Sequence, residues 1–281
     1  MIWKQGLSVY HKYKVKMDIP PEKQESNKGA REKKRVSKKS KTEKPEKPEK
    51  PEKPEKTKPL LETTYCTDKV FEIGVDEAGR GPLFGRVYAA AVILPKEDFD
   101  HSKMKDSKKF HSKKKIEEVA QYIKEHALAW HVSYEDETTI DQINILQSTQ
   151  KCMHTCIKTI VESSNPSLSL KKENTRLLID GNYFNSYIVY NPERKMMESF
   201  DHVCVEGGDN KFSCIAAASI LAKVARDQYI EDLCKENPTL VEHYSIDSNK
   251  GYGAKKHLEG IAEHGITKWH RRSFAPCKNY V

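Results

Sequence analysis

The chain has 281 residues, enough for one or two domains with a sizeable buried core. With 37% hydrophobic and 32% charged residues and no apolar run of about 18, it excludes a helix-spanning membrane protein. The opening MIWKQGLSVYHKYK lacks the apolar stretch of a secretory signal, so an intracellular protein is expected.

The net charge of +8 is spread unevenly. Residues 1–60 hold 19 Lys/Arg against 9 Asp/Glu, and the rest hold 30 against 32, which leaves a tail at +10 and a body at −2. Any attraction of the body for polyanions must therefore come from local patches. Residues 18–60 contain four consecutive PEK units (Pro45 to Lys56) and almost no aliphatic side chains. Such a segment cannot bury enough apolar surface to offset its ordering entropy, and proline at every third position favours polyproline II. The expected organisation is a disordered basic tail over 1–66 and a globular body over 67–281. Two readings of the cluster from Arg31 to Lys41 stay open: a polyanion-binding or nuclear-import segment, and a solvated tether in a cytoplasmic protein.

From Thr67 the composition turns globular, and apolar runs alternate with helical patterns as in an α/β domain. FEIGV (71–75) and RVYAAAVIL (86–94) read as strands, SKKKIEEVAQYIKEHA (112–127) as an amphipathic helix and LAWHVSYE (128–135) as a third strand. Residues 135–163 keep Ile140, Ile143, Leu146, Met153, Cys156 and Ile160 on a recurring face, which predicts a long helix or a helix pair. TRLLIDG (175–181) and HVCVEGG (202–208) are strands, and 212–237 and 255–265 are helices. The seven cysteines form no CxxC or Cys/His metal pattern and suit reduced thiols, with Cys152 and Cys156 as packing residues on one helix face.

Four acids stand where strands stop: Asp76 and Glu77 after FEIGV, Asp180 after RLLI, and Asp209 after VCVEGG. Singly, each suits a turn or an N-cap. Together, at the carboxyl ends of strands in one sheet, they suit a site for hard divalent cations, because clustered carboxylates repel without one. Directly after the first pair, Gly79-Arg80-Gly81-Pro82 offers a tight loop with exposed N–H groups for a sugar or phosphate. Asp106 to Lys109, Lys250 to Gly253 with Tyr252, and His270-Arg271-Arg272 are candidate phosphate and stacking contacts, or else solvated surface.

The blocks GVDEAGRGPLFGRVYAAAVIL, KDSKKF, LLIDGN, GGDNKFSCIAAASILAKVARD, KGYGAKKHL and GITKWHRRSFAPC resemble, in order and spacing, those of ribonuclease HII, the type 2 ribonuclease H family, over about residues 70–278. The GRG triplet separates them from the sister family, ribonuclease HIII. The resemblance implies a ribonuclease H-like fold: a mixed β-sheet flanked by helices with a C-terminal helical portion. It also implies an endonuclease that cuts the RNA strand of RNA/DNA hybrids and cleaves 5′ of single ribonucleotides embedded in duplex DNA. Two Mg²⁺ or Mn²⁺ ions would be its cofactors, and the products would carry 5′-phosphate and 3′-hydroxyl ends.

Carried over by motif, Asp76, Glu77, Asp180 and Asp209 match the catalytic, metal-binding acids. Gly79, Arg80 and Gly81 match the loop that reads the ribose 2′-hydroxyl, Ser107 and Lys108 a phosphate-contacting pair, and Tyr252 the tyrosine beside the RNA-to-DNA junction. Asp227 receives no metal. Gly253-Ala254 stands where the family often has Pro-Thr, a change expected to loosen Tyr252. The expected partners are RNA/DNA hybrid and ribonucleotide-containing DNA, with no membrane and no evident sliding-clamp peptide, and a monomer is expected. Rival readings are a non-catalytic hybrid-binding protein and another two-metal nuclease on the same architecture.

Overall fold

The computed structural model describes residues 60–163 and 168–281; the expected PEK-repeat tail, through residue 59, lies outside the described residues. The first strand, β1 (Phe71–Ala78), outruns its apolar stretch, since its antiparallel ladder with β2 (Val87–Ile93) continues through Glu77↔Ala89 and Ala78↔Tyr88. Asp76 and Glu77 therefore lie inside a strand and not after one, which corrects the expectation.

β2 is buried at every position and reads as a continuous apolar run because both its faces are covered. Ala90 and Val92 pack with α1 (Lys113–His126) and α3 (Ser213–Glu236), while Val87, Ala89, Ala91 and Ile93 pack with α2 (Glu137–Val161). With β3 (Ala129–Glu135), β4 (Thr175–Asp180) and β7 (Asp201–Val205) the main sheet runs β3-β2-β1-β4-β7, antiparallel on the β3 side and parallel from β1 to β7.

The 137–161 segment resolves as a helix pair. Asn144, at φ 66° and ψ 165°, breaks the helix, and its side chain accepts from Gln147 N at 3.1 Å to start the second part. The break shifts the phase, so Ile143 is exposed while Cys152, Met153, Cys156, Ile157 and Ile160 fill the face against β2. Both cysteines pack there as expected, Cys156 Sγ donating to Ala89 O at 3.3 Å. A separate hairpin, β5 (Ile188–Asn191) and β6 (Met196–Ser199), has no counterpart in the sequence reading; Asn191 closes its turn by accepting from Glu193 N and Arg194 N.

Gly74 sets the distance between sheet and helix. A Cβ there would fall 2.2 Å from the backbone of Cys214, so the first turn of α3 lies directly on β1, with Ala216, Ala217 and Ala218 keeping the layer thin. The far end of α3 joins α4 (Thr239–Tyr244), α5 (Ile246–Asn249) and α6 (Lys255–His264) in a third cluster built around Leu83, Phe84 and Ile230. Burying a side chain such as Phe84, 0% exposed, contributes about 1.5–3 kcal/mol. The segment that follows β1 is thereby held between the sheet and the C-terminal helices.

Residues 60–66, which the sequence reading groups with the tail, dock on this body. Ser213 N donates to Glu62 O at 2.9 Å, Tyr65 N reaches the Glu72 carboxylate at 3.0 Å, and Leu61 packs on the core. Among the described residues no helix is long and apolar enough to cross a membrane.

Candidate active site

Strand register brings the acids together. The parallel pairing of β1 with β4 ends at Val75↔Ile179, so Asp76 and Asp180 come next on neighbouring strands. Both share the strand parity of Gly74 and Leu178, which face α3. Beyond β7, Gly207 turns the chain at φ 62° and Gly208 N donates to Asp180 Oδ1 at 2.7 Å, which sets Asp209 beside it. At Gly208 a Cβ would meet the end of the Ile215 side chain at 2.5 Å, so any larger residue would have to push that side chain aside.

Asp76 is 4% exposed and its carboxylate accepts Glu77 N at 2.6 Å. Burial, then the charges of Glu77 and Asp180, hold its pKa well above the usual carboxylate range, the Ser219 hydroxyl opposing. Burial also raises Glu77, opposed by the guanidinium of Arg80 at 3.3 Å. Burial, then Asp106 and Asp180, raise Asp209, whose cation is Lys108 at 4.0 Å. Burial opposes the Lys108 ammonium, yet Asp209, Asp106, Asp76 and Asp180 keep it above its ordinary value. Two exposed cations thus border the cluster and none pairs with Asp76 or Asp180 among the described residues.

This donor set is all carboxylate oxygen, the chemistry of hard divalent cations. Among the described residues no group of three or more His, Cys, Asp or Glu side chains is placed to hold a metal ion as it stands. The fit rests on the crowded, uncompensated charge at Asp76, which a cation between the acids would neutralise.

Asp106, read from sequence only as part of a candidate phosphate-contact turn, joins the acid cluster. Its carboxylate caps the 107–109 turn through Lys108 N at 2.9 Å and takes Asn210 Nδ2 at 3.3 Å, the same nitrogen that donates to Asp209 at 2.8 Å. Although burial works against it, the hydrogen bonds from Lys108 N and Asn210 lower its pKa. Ser107, 6% exposed, meets Ser219 at 3.0 Å and is part of the wall behind Asp76, while the Lys108 side chain stands in solvent. Asp227 pairs with Lys223 at 2.7 Å.

The second half of the site is the 79–85 loop and Tyr252. Gly79 sits at φ 93°, where a Cβ would strike the Arg226 guanidinium at 2.2 Å; a Cβ on Gly81 would lie 3.6 Å from the Tyr252 ring. Arg80, Gly81 and Tyr252 are exposed, so loop and ring form one surface. The expectation that His270 and Arg271 contact phosphate is corrected, for they are 1% and 0% exposed. Arg271 spends its donors on the carbonyls of Gly79, Arg80, Pro82 and Gly85. Arg226 does likewise with Phe84, Arg86 and Lys250.

His270 Nδ1 accepts from Thr267 N at 2.9 Å, so its proton sits on Nε2 and points to His257 Nε2 at 3.1 Å. His257 Nδ1 then donates to Tyr252 O at 2.8 Å. Burial, and then His257, push His270 down to about 3, so the relay is neutral.

A family model described as Ribonuclease HII matches residues 73–277. The ribonuclease HII of Cytophaga hutchinsonii is 44% identical over 204 residues, 72% of this chain and 88% of that protein. That of Bacteroides thetaiotaomicron is 42% identical over 210 residues, 75% and 92% of the two chains. Among solved structures, the ribonuclease H2 of Pyrococcus horikoshii OT3 superposes with a TM-score of 0.54 at 20% identity, covering 75% of this chain and 97% of that one. A PCNA:RNase HII complex from Archaeoglobus fulgidus gives 0.52 at 24% identity, covering 73% and 95%.

Proposed function

Because the chain belongs to the ribonuclease HII family, divalent-metal-dependent endonucleases of RNA/DNA hybrids, we propose that residues 60–281 form its catalytic unit and that Asp76, Glu77, Asp180 and Asp209 hold two Mg²⁺ or Mn²⁺ ions. When bound, such ions supply an activated water and charge neutralisation at the leaving 3′ oxygen. The observation that carries this reading is Asp76: a nearly buried carboxylate between two others, with no cation paired to it among the described residues.

The protein's own part is positioning. Gly208 N orients the Asp180 carboxylate, and Asn210 links Asp209 to Asp106, so the acids keep their directions before substrate arrives. Lys108 and Arg80 stand at the rim, where phosphates of the substrate pass. The N–H groups of the Gly79 to Gly81 loop take the 2′-hydroxyl, the group that distinguishes RNA from DNA locally, and the half-exposed Tyr252 ring packs on the sugar beside it. On this reading the strand is cut 5′ of a ribonucleotide, and the base plays no part in the choice.

The test is cleavage of an end-labelled DNA duplex carrying one ribonucleotide, with Mg²⁺, Mn²⁺ or EDTA, beside an all-DNA duplex. A metal-dependent cut 5′ of the ribonucleotide, absent with EDTA, from all-DNA duplex and from Asp76→Asn protein, is the expected result. Cleavage by Asp76→Asn at the wild-type rate, or of the all-DNA duplex, overturns the reading.

A further inference from the structure

We propose that Arg271 is a positioning residue for ribose recognition: buried behind the 79–85 loop, it aims the Arg80 and Gly81 N–H groups at the substrate's 2′-hydroxyl. The proposal rests on the reading that this loop takes the 2′-hydroxyl. Arg271 Nε donates to Gly85 O at 2.8 Å, Nη1 to Arg80 O at 2.9 Å and Pro82 O at 2.8 Å, and Nη2 to Gly79 O at 2.6 Å. Four of five guanidinium donors serve a single loop.

In a planar trans peptide a carbonyl and the following N–H point in opposite directions. Drawing the Gly79 and Arg80 carbonyls inward therefore turns the Arg80 and Gly81 N–H groups outward, and neither has a protein partner among the described residues. Gly81 itself lies beside the Tyr252 ring, where an added Cβ would stand 3.6 Å from it. Lysine carries three donors on a single nitrogen, too few and too close together to hold all four carbonyls of the loop. Arg226 fixes the other edge of the loop, reaching Phe84 O and Arg86 O at 3.3 Å and Lys250 O at 3.0 Å.

The experiment uses the full chain with Arg271→Lys, and Arg271→Gln should the lysine prevent folding, on a duplex with one ribonucleotide. Circular dichroism and thermal melting report the fold. A merely structural residue would lower the amount of active protein and leave the split between kcat and KM alone. The expected result is kcat down about 10- to 100-fold with KM and the circular dichroism close to wild type, because the reacting ribose is held slightly out of place. Wild-type kcat in a folded variant overturns the proposal, as does failure of both variants to fold. Cleavage of an all-DNA duplex by the wild-type protein would instead sink the 2′-hydroxyl reading, independently of Arg271.

Discussion

The two halves of the site bury opposite charges in opposite ways. At the ends of β1 and β4, Asp76 and its neighbours are crowded together with, among the described residues, only Arg80 and Lys108 at the edges. Behind the 79–85 loop, Arg271 and Arg226 are as deeply buried, yet their donors are spent on backbone carbonyls. Burying charge without a partner costs several kcal/mol per ion, so each half carries a different sign of need. The anionic half carries crowded carboxylates without an internal counter-ion among the described residues, the need that the proposed cations would meet. The cationic half is complete in itself and presents a finished loop. On the proposed reading, chemistry and recognition are thereby separable on one surface: one part would be completed by metal, the other is built in advance.

The largest effect that would break this contrast comes from the acids. Asp180→Asn keeps size and hydrogen-bonding reach but removes a charge facing Asp76, and cleavage should fall by at least about 10³-fold, the equivalent of several kcal/mol of transition-state stabilisation. Stability should move the other way, because the substitution relieves repulsion. In EDTA the variant's melting temperature should equal or exceed that of wild type, and the rise on adding Mg²⁺ or Mn²⁺ should shrink. A variant that cleaves normally, or melts well below wild type in EDTA, would show that the acids are already compensated within the protein.

Acid titration sharpens the same contrast through its sign. Asp76 has a folded pKa raised above its ordinary 3.8, so between those values the folded state binds the extra proton, and its unfavourable contribution is relieved as pH falls toward 3.8. His270 is pushed down from 6.5 to about 3, so below 6.5 the unfolded state binds the extra proton and stability is lost. Metal-free protein should therefore carry two opposed trends on the acid side. Asp76→Asn removes the favourable one, and its melting temperature should fall more steeply than that of wild type from about pH 6.5 downward. Parallel curves for the two proteins would place the Asp76 carboxylate in a compensated environment.

A smaller effect belongs to the recognition half. Tyr252 packs beside Gly81, its carbonyl held by His257 and by Ala254 N at 2.7 Å, so the Gly253-Ala254 change leaves the ring's backbone anchored. Tyr252→Ala should lower cleavage of single-ribonucleotide duplex about 10-fold, in line with the stacking worth of one aromatic ring, and affect a long RNA/DNA hybrid less. Equal losses on both substrates would remove the junction role and leave a general contact.

How much of this was legible beforehand follows from what each residue type signals. The sheet and its flanking helices were readable from apolar periodicity, and the acids from their place at strand ends, since those signals are local. The end of β1 was misplaced because Asp76 and Glu77 interrupt the apolar run while the ladder with Ala89 and Ala90 continues beneath them. The helix-pair reading of 135–163 was open, but its break could not be placed, because the positive-φ backbone at Asn144 leaves hydrophobicity unchanged on either side. His270-Arg271-Arg272 read as phosphate contacts because a buried arginine saturated by carbonyls looks, in sequence, like an exposed one. Those carbonyls belong to residues 79–85, nearly two hundred positions away, and nothing local announces them. Asp106 was visible only as part of a Lys-rich turn, its link to Asp209 running through Asn210.

The smallest expected effect concerns residues 1–59 against the body. Residues 1–60 hold 19 Lys/Arg and 9 Asp/Glu, whereas both halves of the site lie between Asp76 and Arg271. Removing residues 1–59 should therefore leave the cleavage position and kcat as they are, and Leu60 to Cys66 must be kept because Glu62 pairs with Phe212 and Ser213. What should change is the response to salt. Each phosphate neutralised by a lysine or arginine contributes about −0.9 to the slope of log binding constant against log salt on duplex DNA, so a tail that touches the backbone steepens that slope by its number of contacts. Binding of full-length and shortened chains to one ribonucleotide-containing duplex, in EDTA and over a range of salt, reads this directly. A shallower slope with unchanged kcat puts the tail's contribution in electrostatic affinity alone. A shifted cut or lost activity would place part of the catalytic half before residue 60.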